Sequence, residues 1–195
     1  KLGGSRAGEI AAHRFLDHED VSPETTIAAA AERTRAAARG ATVLLVQDTT
    51  EINFSGADRR RSGLGPAGDG KALGFFIHPV LAVSLEEEAV LGIAHAQIWT
   101  RSPTPVCDRK ARPIEEKESQ RWLTATAAAD SFVGVASEVI DVSDREGDIY
   151  QHFARRPDGV EMVVRAHHDR KLVGGNQLFS ASDKLAEGFM REIFV

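Results

Sequence analysis

Two short apolar runs that each end in an aspartate constrain this chain most. The first run, residues 43–47 (VLLVQ), is followed by Asp48, and the second, residues 139–143 (VIDVS), is followed by Asp144. Runs of this length and composition predict buried strands. A buried strand that stops at an aspartate places that carboxylate at the rim of a sheet. Two such strands side by side would supply the paired oxygen ligands of a two-metal phosphodiester site.

Length and composition indicate one globular domain with a real core. The chain has 195 residues, of which 42% are hydrophobic and 27% charged, and no apolar run approaches the length of a membrane span. The single cysteine, Cys107, excludes an internal disulfide and suits a reducing compartment, so we expect a cytoplasmic protein without a membrane partner. The net charge of −5 argues against bulk electrostatic attraction to nucleic acid.

The spacing of apolar residues predicts helices first, then strands, then alternating helices and strands. A short amphipathic helix over residues 5–18 precedes a second that begins at Ser22-Pro23-Glu24 and ends near Gly40. These two helices form either a DNA-binding unit or a hairpin that packs on the main sheet. The remaining predicted elements are strands 42–47, 73–84 and 89–99, a helix over 114–133, strand 138–143, a helix over 146–155 and strand 160–166.

This order predicts an α/β fold with a mixed sheet. A meander followed by a helical crossover to further strands is the order of the ribonuclease H-like fold, here preceded by two helices. In that layout the first and fourth strands are neighbours, which brings Asp48 and Asp144 together. Taken singly, each aspartate is explained by a helix cap or a turn. Taken together at neighbouring strand ends, they indicate a functional site.

Several motifs occur in the order known from one family. They are Ala12–Leu16 with Val21–Glu24, Gln47–Thr50, Glu116–Ser119 with Trp122 and Leu123, Asp144–Ile149, and Val163–Ala166. In these motifs the chain resembles the bacterial cut-and-paste DDE transposases of insertion sequences and composite transposons. The resemblance covers nearly the whole chain. It implies a helical N-terminal segment over residues 1–40 that is the end of a DNA-binding region, the first part of a ribonuclease H-like catalytic core over 41–186, and the start of a β-rich insertion over 187–195.

The resemblance also implies a mechanism. Asp48 and Asp144 would be catalytic metal ligands for two Mg²⁺ or Mn²⁺ ions, which serve to nick double-stranded DNA at transposon ends and to join the freed 3′-hydroxyl to target DNA. Family members act as homodimers. Their third acid is a glutamate far downstream, beyond Val195, so we expect this chain alone to be inactive. The chain would then be a truncated piece of such an enzyme.

Basic residues supply candidate DNA contacts in spite of the acidic net charge. They are Arg59, Arg60, Arg61, Lys110, Arg112 and Arg165. Solvated loop charges or surface ion pairs are the alternative explanation for each. Asp148 is the first candidate for an additional acid at the rim, and His167-His168-Asp169 is a weaker candidate for metal binding.

Two other functions compete with the transposase reading. The first is a non-enzymatic transposase remnant that keeps the fold and some DNA or dimer contacts without turnover. The second is an unrelated hydrolase. A phosphatase with an aspartyl nucleophile would need a second aspartate two residues after the first, and Thr50 occupies that position.

Overall fold

A computed structural model describes residues 4–54, 62–68, 70, 72–103 and 112–185. Short 3-10 turns over Ile114–Glu116, Ala129–Phe132 and Arg145–Gly147 accompany the main elements. In chain order the main helices and strands are α1 (Arg6–Leu16), α2 (Pro23–Ala37), β1 (Thr42–Gln47), β2 (Thr50–Phe54), β3 (Gly65–Ala67), β4 (Ala72–Ser84), β5 (Ala89–Trp99), α3 (Gln120–Ala128), β6 (Glu138–Ser143), α4 (Tyr150–Ala154), β7 (Val160–Val164) and α5 (Leu178–Ser182).

The strands form one mixed sheet, which confirms the predicted mixed α/β class. β4 pairs antiparallel with β1, β2, β3 and β5, whereas β1, β6 and β7 run parallel to one another. The long hairpin of β4 and β5 therefore flanks the parallel strands on one side. Parallel strands need crossover connections, and α3 and α4 lie in the two crossovers that lead to β6 and β7.

Two segments that the sequence predicts as continuous helices are interrupted in the structure. The segment predicted as one helix over 114–133 consists of a 3-10 turn, α3 and a second 3-10 turn, and Lys117 between the first two is extended. The helix predicted over 146–155 is a 3-10 turn and α4, separated by Asp148 and an extended Ile149. Asp148 is held by tertiary hydrogen bonds at this break. Such contacts override local helix propensity.

The core lies between the helices and one face of the sheet. Residues alternate along β4, so that Phe76, Val80 and Ala82 are buried on this face. The opposite face of β4 is also apolar but more exposed, with Leu81 at 37%. Val80 and Ala82 belong to the main core cluster, whose other buried members are Ala38, Val43, Leu45, Ala94, Ala125, Ala129, Phe132, Val139 and Val160.

The two predicted N-terminal helices are present and differ in their packing. α2 starts with a capping box between Ser22 and Thr25 and packs on β5. Gly92 permits this approach, because a Cβ atom there would lie 2.4 Å from the Thr34 hydroxyl oxygen. α1 buries no residue and leaves the side chains of Phe15 and Leu16 exposed. The packing-hairpin alternative therefore describes α2 but not α1.

No helix within the described residues combines the length and the apolar character needed to cross a lipid bilayer.

The one-sided core predicts a contrast between two leucines in neighbouring strands. Leu45 is 1% exposed on the helix-covered face, and Leu81 is 37% exposed on the other. We expect Leu45→Ala to lower the free energy of unfolding by about 2–5 kcal/mol, because it opens a cavity in close-packed surroundings. Leu81→Ala should cost less than about 1 kcal/mol. Denaturant unfolding of both variants is the measurement, and equal losses would contradict the one-sided core.

Candidate functional site at the carboxyl rim of the sheet

Asp48 and Asp144 lie at the ends of neighbouring parallel strands. β1 and β6 are paired in register up to Gln47 and Ser143, and the two aspartates are the next residue on each strand. Both aspartates are exposed. The placement predicted from the sequence is therefore present at the rim of the sheet.

A break in the β-ladder releases Asp48 from the sheet. Gln47 of β1 pairs with Val80, and Thr50 of β2 pairs with Ile77, so both strands follow the same register along β4. Asp48 and Thr49 belong to neither ladder, although they stand opposite the His78–Pro79 step of β4. Proline has no backbone N–H to donate at that point. The interruption leaves the backbone of Asp48 and Thr49 outside the ladder at the rim.

Both aspartates keep part of their bonding capacity open. Asp48 Oδ1 accepts a hydrogen bond from the Thr49 N–H at 2.7 Å. Asp144 Oδ1 accepts one from the Glu146 N–H at 2.8 Å and caps the 3-10 turn that follows β6. Within the described part of the chain, the Oδ2 atom of each carboxylate accepts no hydrogen bond. One oxygen of each exposed carboxylate thus fixes its orientation, and the other is left without a hydrogen bond within the described residues.

A buried polar network lies directly beneath this rim. The Gln47 Nε2 amide donates to both oxygens of Asp141, at 2.7 and 2.9 Å. Thr126 Oγ1 lies 2.9 Å from Gln47 Nε2, 2.7 Å from Asp141 Oδ2 and 2.6 Å from His152 Nε2. All four of these side chains are at most 2% exposed. The network ties β1, α3, β6 and α4 together at one point.

His78 extends the network toward the rim. Its Nε2 lies 3.0 Å from Gln47 Oε1, which can only accept, so Nε2 carries the proton. Its Nδ1 then accepts from the Thr49 hydroxyl at 2.9 Å. Burial, followed by the positive charge of Arg121, lowers the pKa of His78 to about 4. The ring is therefore neutral at physiological pH and acts as a fixed donor and acceptor.

Arg121 connects this network to the acids of the rim. It donates from Nε to Thr49 Oγ1 at 2.8 Å and from Nη2 to Glu146 Oε2 at 2.7 Å. Its side chain is 13% exposed, and its guanidinium lies over the Trp122 ring at 5.3 Å from the centroid. Burial lowers the pKa of Arg121, and the neighbouring glutamates oppose that effect.

Asp148 is buried and held by structural hydrogen bonds, and it is not part of the rim. Burial opposes its ionisation, but the N–H groups of His168 and His167, at 2.8 and 2.7 Å, and the guanidinium of Arg170 lower its pKa overall. The side chain is 2% exposed. Asp148 thus anchors the segment after β7, so it does not lie free at the rim as an additional acid.

The remaining predicted residues fall into two groups. Arg165 is exposed beside the rim, where its N–H donates to the Ser143 carbonyl at 3.1 Å. Arg112 forms an ion pair with Glu116 at 3.2 Å, which is the surface-pair alternative for that residue. The candidate DNA contacts that lie outside the described residues are Arg59, Arg60, Arg61 and Lys110, and residues 187–195 lie outside them too.

The donor set at the rim fits a hard divalent cation in type. Carboxylate oxygens on rigid strand ends are the ligands that Mg²⁺ and Mn²⁺ prefer. The number of ligands is small, since within the described ranges no three His, Cys, Asp or Glu side chains stand together as a metal site. His167 and His168, which the sequence offered as a weaker candidate for metal binding, are held through their backbone N–H groups, which both donate to Asp148. The rim therefore offers two carboxylates to a cation.

Sequence reasoning missed the residues that support the rim. Gln47, His78 and Asp141 were visible as polar residues inside apolar strand sequences. A polar side chain on the buried face of a strand must find a partner, which was the available signal. Thr126 and His152 sit in helical segments whose register gave no such indication.

No known protein-family model matches the chain.

The neutral state of His78 predicts a loss of stability in mild acid. Its pKa is about 4 in the folded chain against an ordinary value of 6.5, so the unfolded chain binds more protons between these limits. Stabilisation by the neutral ring is full above pH 6.5 and is lost as the pH falls toward 4, by roughly 3 kcal/mol in all. Denaturant unfolding at about pH 7 and about pH 4.5 measures the loss.

His78→Gln, which cannot titrate, is the matched variant. It should lose less stability than the wild type over the same pH interval. Asp148 contributes little there, because its lowered pKa delays its protonation to below the ordinary value of 3.8. Identical pH dependence in wild type and His78→Gln would contradict the assignment of a neutral buried imidazole.

Proposed function

We propose that the chain is part of the catalytic core of a DNA transposase, in which Asp48 and Asp144 hold the divalent metal. One observation carries the proposal: two exposed aspartates end neighbouring parallel strands that are locked in register. A sheet rim of this kind keeps two carboxylates at a fixed spacing without help from a flexible loop. That is the requirement for binding metal ions which act on a phosphodiester.

The sheet topology supports the ribonuclease H-like part of the proposal. Apart from β2 and β3, which also pair antiparallel with β4, the strands of the sheet follow the order β5-β4-β1-β6-β7, in which only β4 runs opposite to the others. This is the order expected from a three-strand meander followed by two parallel strands in crossover connections. The resemblance to the cut-and-paste transposases implies the same order and assigns its two aspartates to the same strand ends.

Each group at the rim has a role in this function. Bound Mg²⁺ or Mn²⁺ would supply Lewis-acid activation of water and of the attacking 3′-hydroxyl. Asp48 and Asp144 would orient the cation through their Oδ2 atoms, while their Oδ1 atoms stay bonded to backbone N–H groups. Two further acids in the segment after β6 are already paired, Glu146 with Arg121 and Asp148 with Arg170. Two carboxylates predict weak metal binding when substrate phosphate is absent.

The substrate of the proposed enzyme is double-stranded DNA at transposon ends, held by a homodimer as in the family that the chain resembles. Arg165 is exposed beside the metal-binding rim and is available to a phosphate there. Because the net charge is −5, affinity for DNA depends on such local contacts. Binding should therefore be weak and strongly dependent on salt.

Localised oxidative cleavage tests the metal site. Fe²⁺ replaces Mg²⁺ at carboxylate sites and, with ascorbate and peroxide, cuts the nearest backbone. We expect fragments that end near Asp48 and Asp144, the two strands joined at the rim. Asp48→Asn and Asp144→Asn should each abolish both cuts, because the two strand ends share the ion. Gel electrophoresis and mass spectrometry of the fragments provide the measurement.

Asp158→Asn is the control for this experiment, because Asp158 is an exposed aspartate before β7, at the opposite rim of the sheet. Its cleavage pattern should match the wild type. Cuts that persist in both rim variants, or a wild type without cuts at the rim, would overturn the proposed function.

DNA binding gives a second test through Arg165. Arg165→Ala should weaken binding to a duplex oligonucleotide several-fold and reduce the slope of log affinity against log salt by about one. Arg39→Ala removes another exposed arginine, which precedes β1 at the far rim, and it should leave both quantities unchanged. Fluorescence anisotropy over a salt series measures them. Equal effects of the two substitutions would exclude a DNA contact specific to the rim.

A further inference from the structure

One imidazole bridges the residues on both sides of Asp48. His78 Nε2 lies 3.0 Å from Gln47 Oε1, and its Nδ1 lies 2.9 Å from Thr49 Oγ1. Side chains alternate along a strand, so Gln47 and Thr49 turn inward while Asp48, between them, turns outward. The ladder hydrogen bonds of β1 and β2 stop at this point. The His78 ring therefore takes over from the ladder in holding the segment that carries Asp48.

The proton positions along this bridge are fixed in one direction. Arg121 Nε can only donate, so the Thr49 hydroxyl accepts from it and donates to His78 Nδ1. His78 Nε2 then donates to Gln47 Oε1, and Gln47 Nε2 donates to Asp141. A cation stands at one end of the chain and a carboxylate at the other, so the hydrogen bonds polarise one another in the same sense.

The guanidinium of Arg121 is also linked to Asp144, through Glu146. Arg121 Nη2 holds the Glu146 carboxylate at 2.7 Å, and the Glu146 N–H donates to Asp144 Oδ1 at 2.8 Å. Arg121 thus connects to Asp48 through Thr49 and to Asp144 through Glu146. Its burial against Trp122 and its two hydrogen-bonded arms restrict its own rotamer.

From this geometry we infer that Arg121 and His78 are positioning residues that set the spacing of the Asp48 and Asp144 carboxylates. Thr49 and Glu146 transmit their effect to the two strand ends. The rigidity of the rim follows from these contacts alone, whereas the role of the rim in binding a divalent cation rests on the proposed function. Supporting residues that hold metal ligands commonly change metal affinity by about 10–100-fold when they are removed.

Substitution of Thr49 tests the inference with little change in volume. Thr49→Val removes the hydroxyl and breaks the bridge between Arg121 and His78, and Thr49→Ser keeps the hydroxyl. Amide hydrogen exchange over residues 47–50 reports the rigidity of the strand end. Mn²⁺ affinity, followed by water-proton relaxation with Asp48→Asn as the blank, reports the metal site.

We expect Thr49→Val to accelerate exchange at residues 47–50 and to weaken Mn²⁺ binding by about 10-fold or more. Thr49→Ser should resemble the wild type in both measurements. Arg121→Lys provides a second variant, because lysine keeps the charge but cannot reach Thr49 and Glu146 with one planar fork. It should behave like Thr49→Val, with intact secondary structure by circular dichroism.

The outcomes separate this inference from the proposed function. Unchanged exchange and unchanged Mn²⁺ affinity in Thr49→Val would overturn the positioning role. Faster exchange spread evenly over the sheet, β7 included, would also overturn it, since that pattern indicates only a general structural role. Local loosening in Thr49→Val together with a wild type that binds no Mn²⁺ would overturn the proposed function and leave the positioning role standing.

Discussion

The buried carboxylate of Asp141 is the constraint on which the rest of the structure depends. It is 1% exposed, and an ionised group in such a place is strongly destabilising unless it is fully hydrogen-bonded. Its partners come from three other elements: Gln47 at the end of β1, Thr126 in α3 and His152 in α4. A shift of β1 or β6 by one residue would turn Gln47 or Asp141 toward the other face and leave a buried charge without a partner. The network therefore fixes the register in which Asp48 and Asp144 become neighbours.

A second buried carboxylate organises the region after β7 in the same way. Asp148 interrupts the helical segment between β6 and β7, and there it binds two successive backbone N–H groups and Arg170. The 3-10 turn after Asp144 is consequently short, and Gly147 within it packs so closely that a Cβ atom would lie 2.5 Å from Ser143 Oγ. The buried carboxylates of Asp141 and Asp148 thus hold the two sides of the rim. The acids at the rim and the acids beneath it differ in burial, since Asp48 and Asp144 are exposed whereas Asp141 and Asp148 are buried.

The sequence predicted the parts of the fold that follow from apolar periodicity. The ends of β1 and β6, the long hairpin and the two N-terminal helices were all recognisable, and so was the adjacency of Asp48 and Asp144. The breaks near Lys117 and Asp148 were not, because they arise from contacts with residues far along the chain. The relation between β1 and β2 also depends on a distant part of the chain. Only the pairing of both with β4 shows that one register runs through the interruption opposite Pro79.

The supporting network could have been anticipated from the same alternation that places the aspartates. A residue that ends a buried strand and turns outward has neighbours at −1 and +1 that turn inward. Where those neighbours are apolar, they join the core and the acid depends on the ladder alone. Here they are Gln47 and Thr49, whose polar groups require partners on the buried side, and His78 on the adjacent strand meets both. The polar residues Gln47 and Thr49 on either side of Asp48 therefore indicate a buried support at this strand end, and β4, which pairs with β1, supplies it through His78.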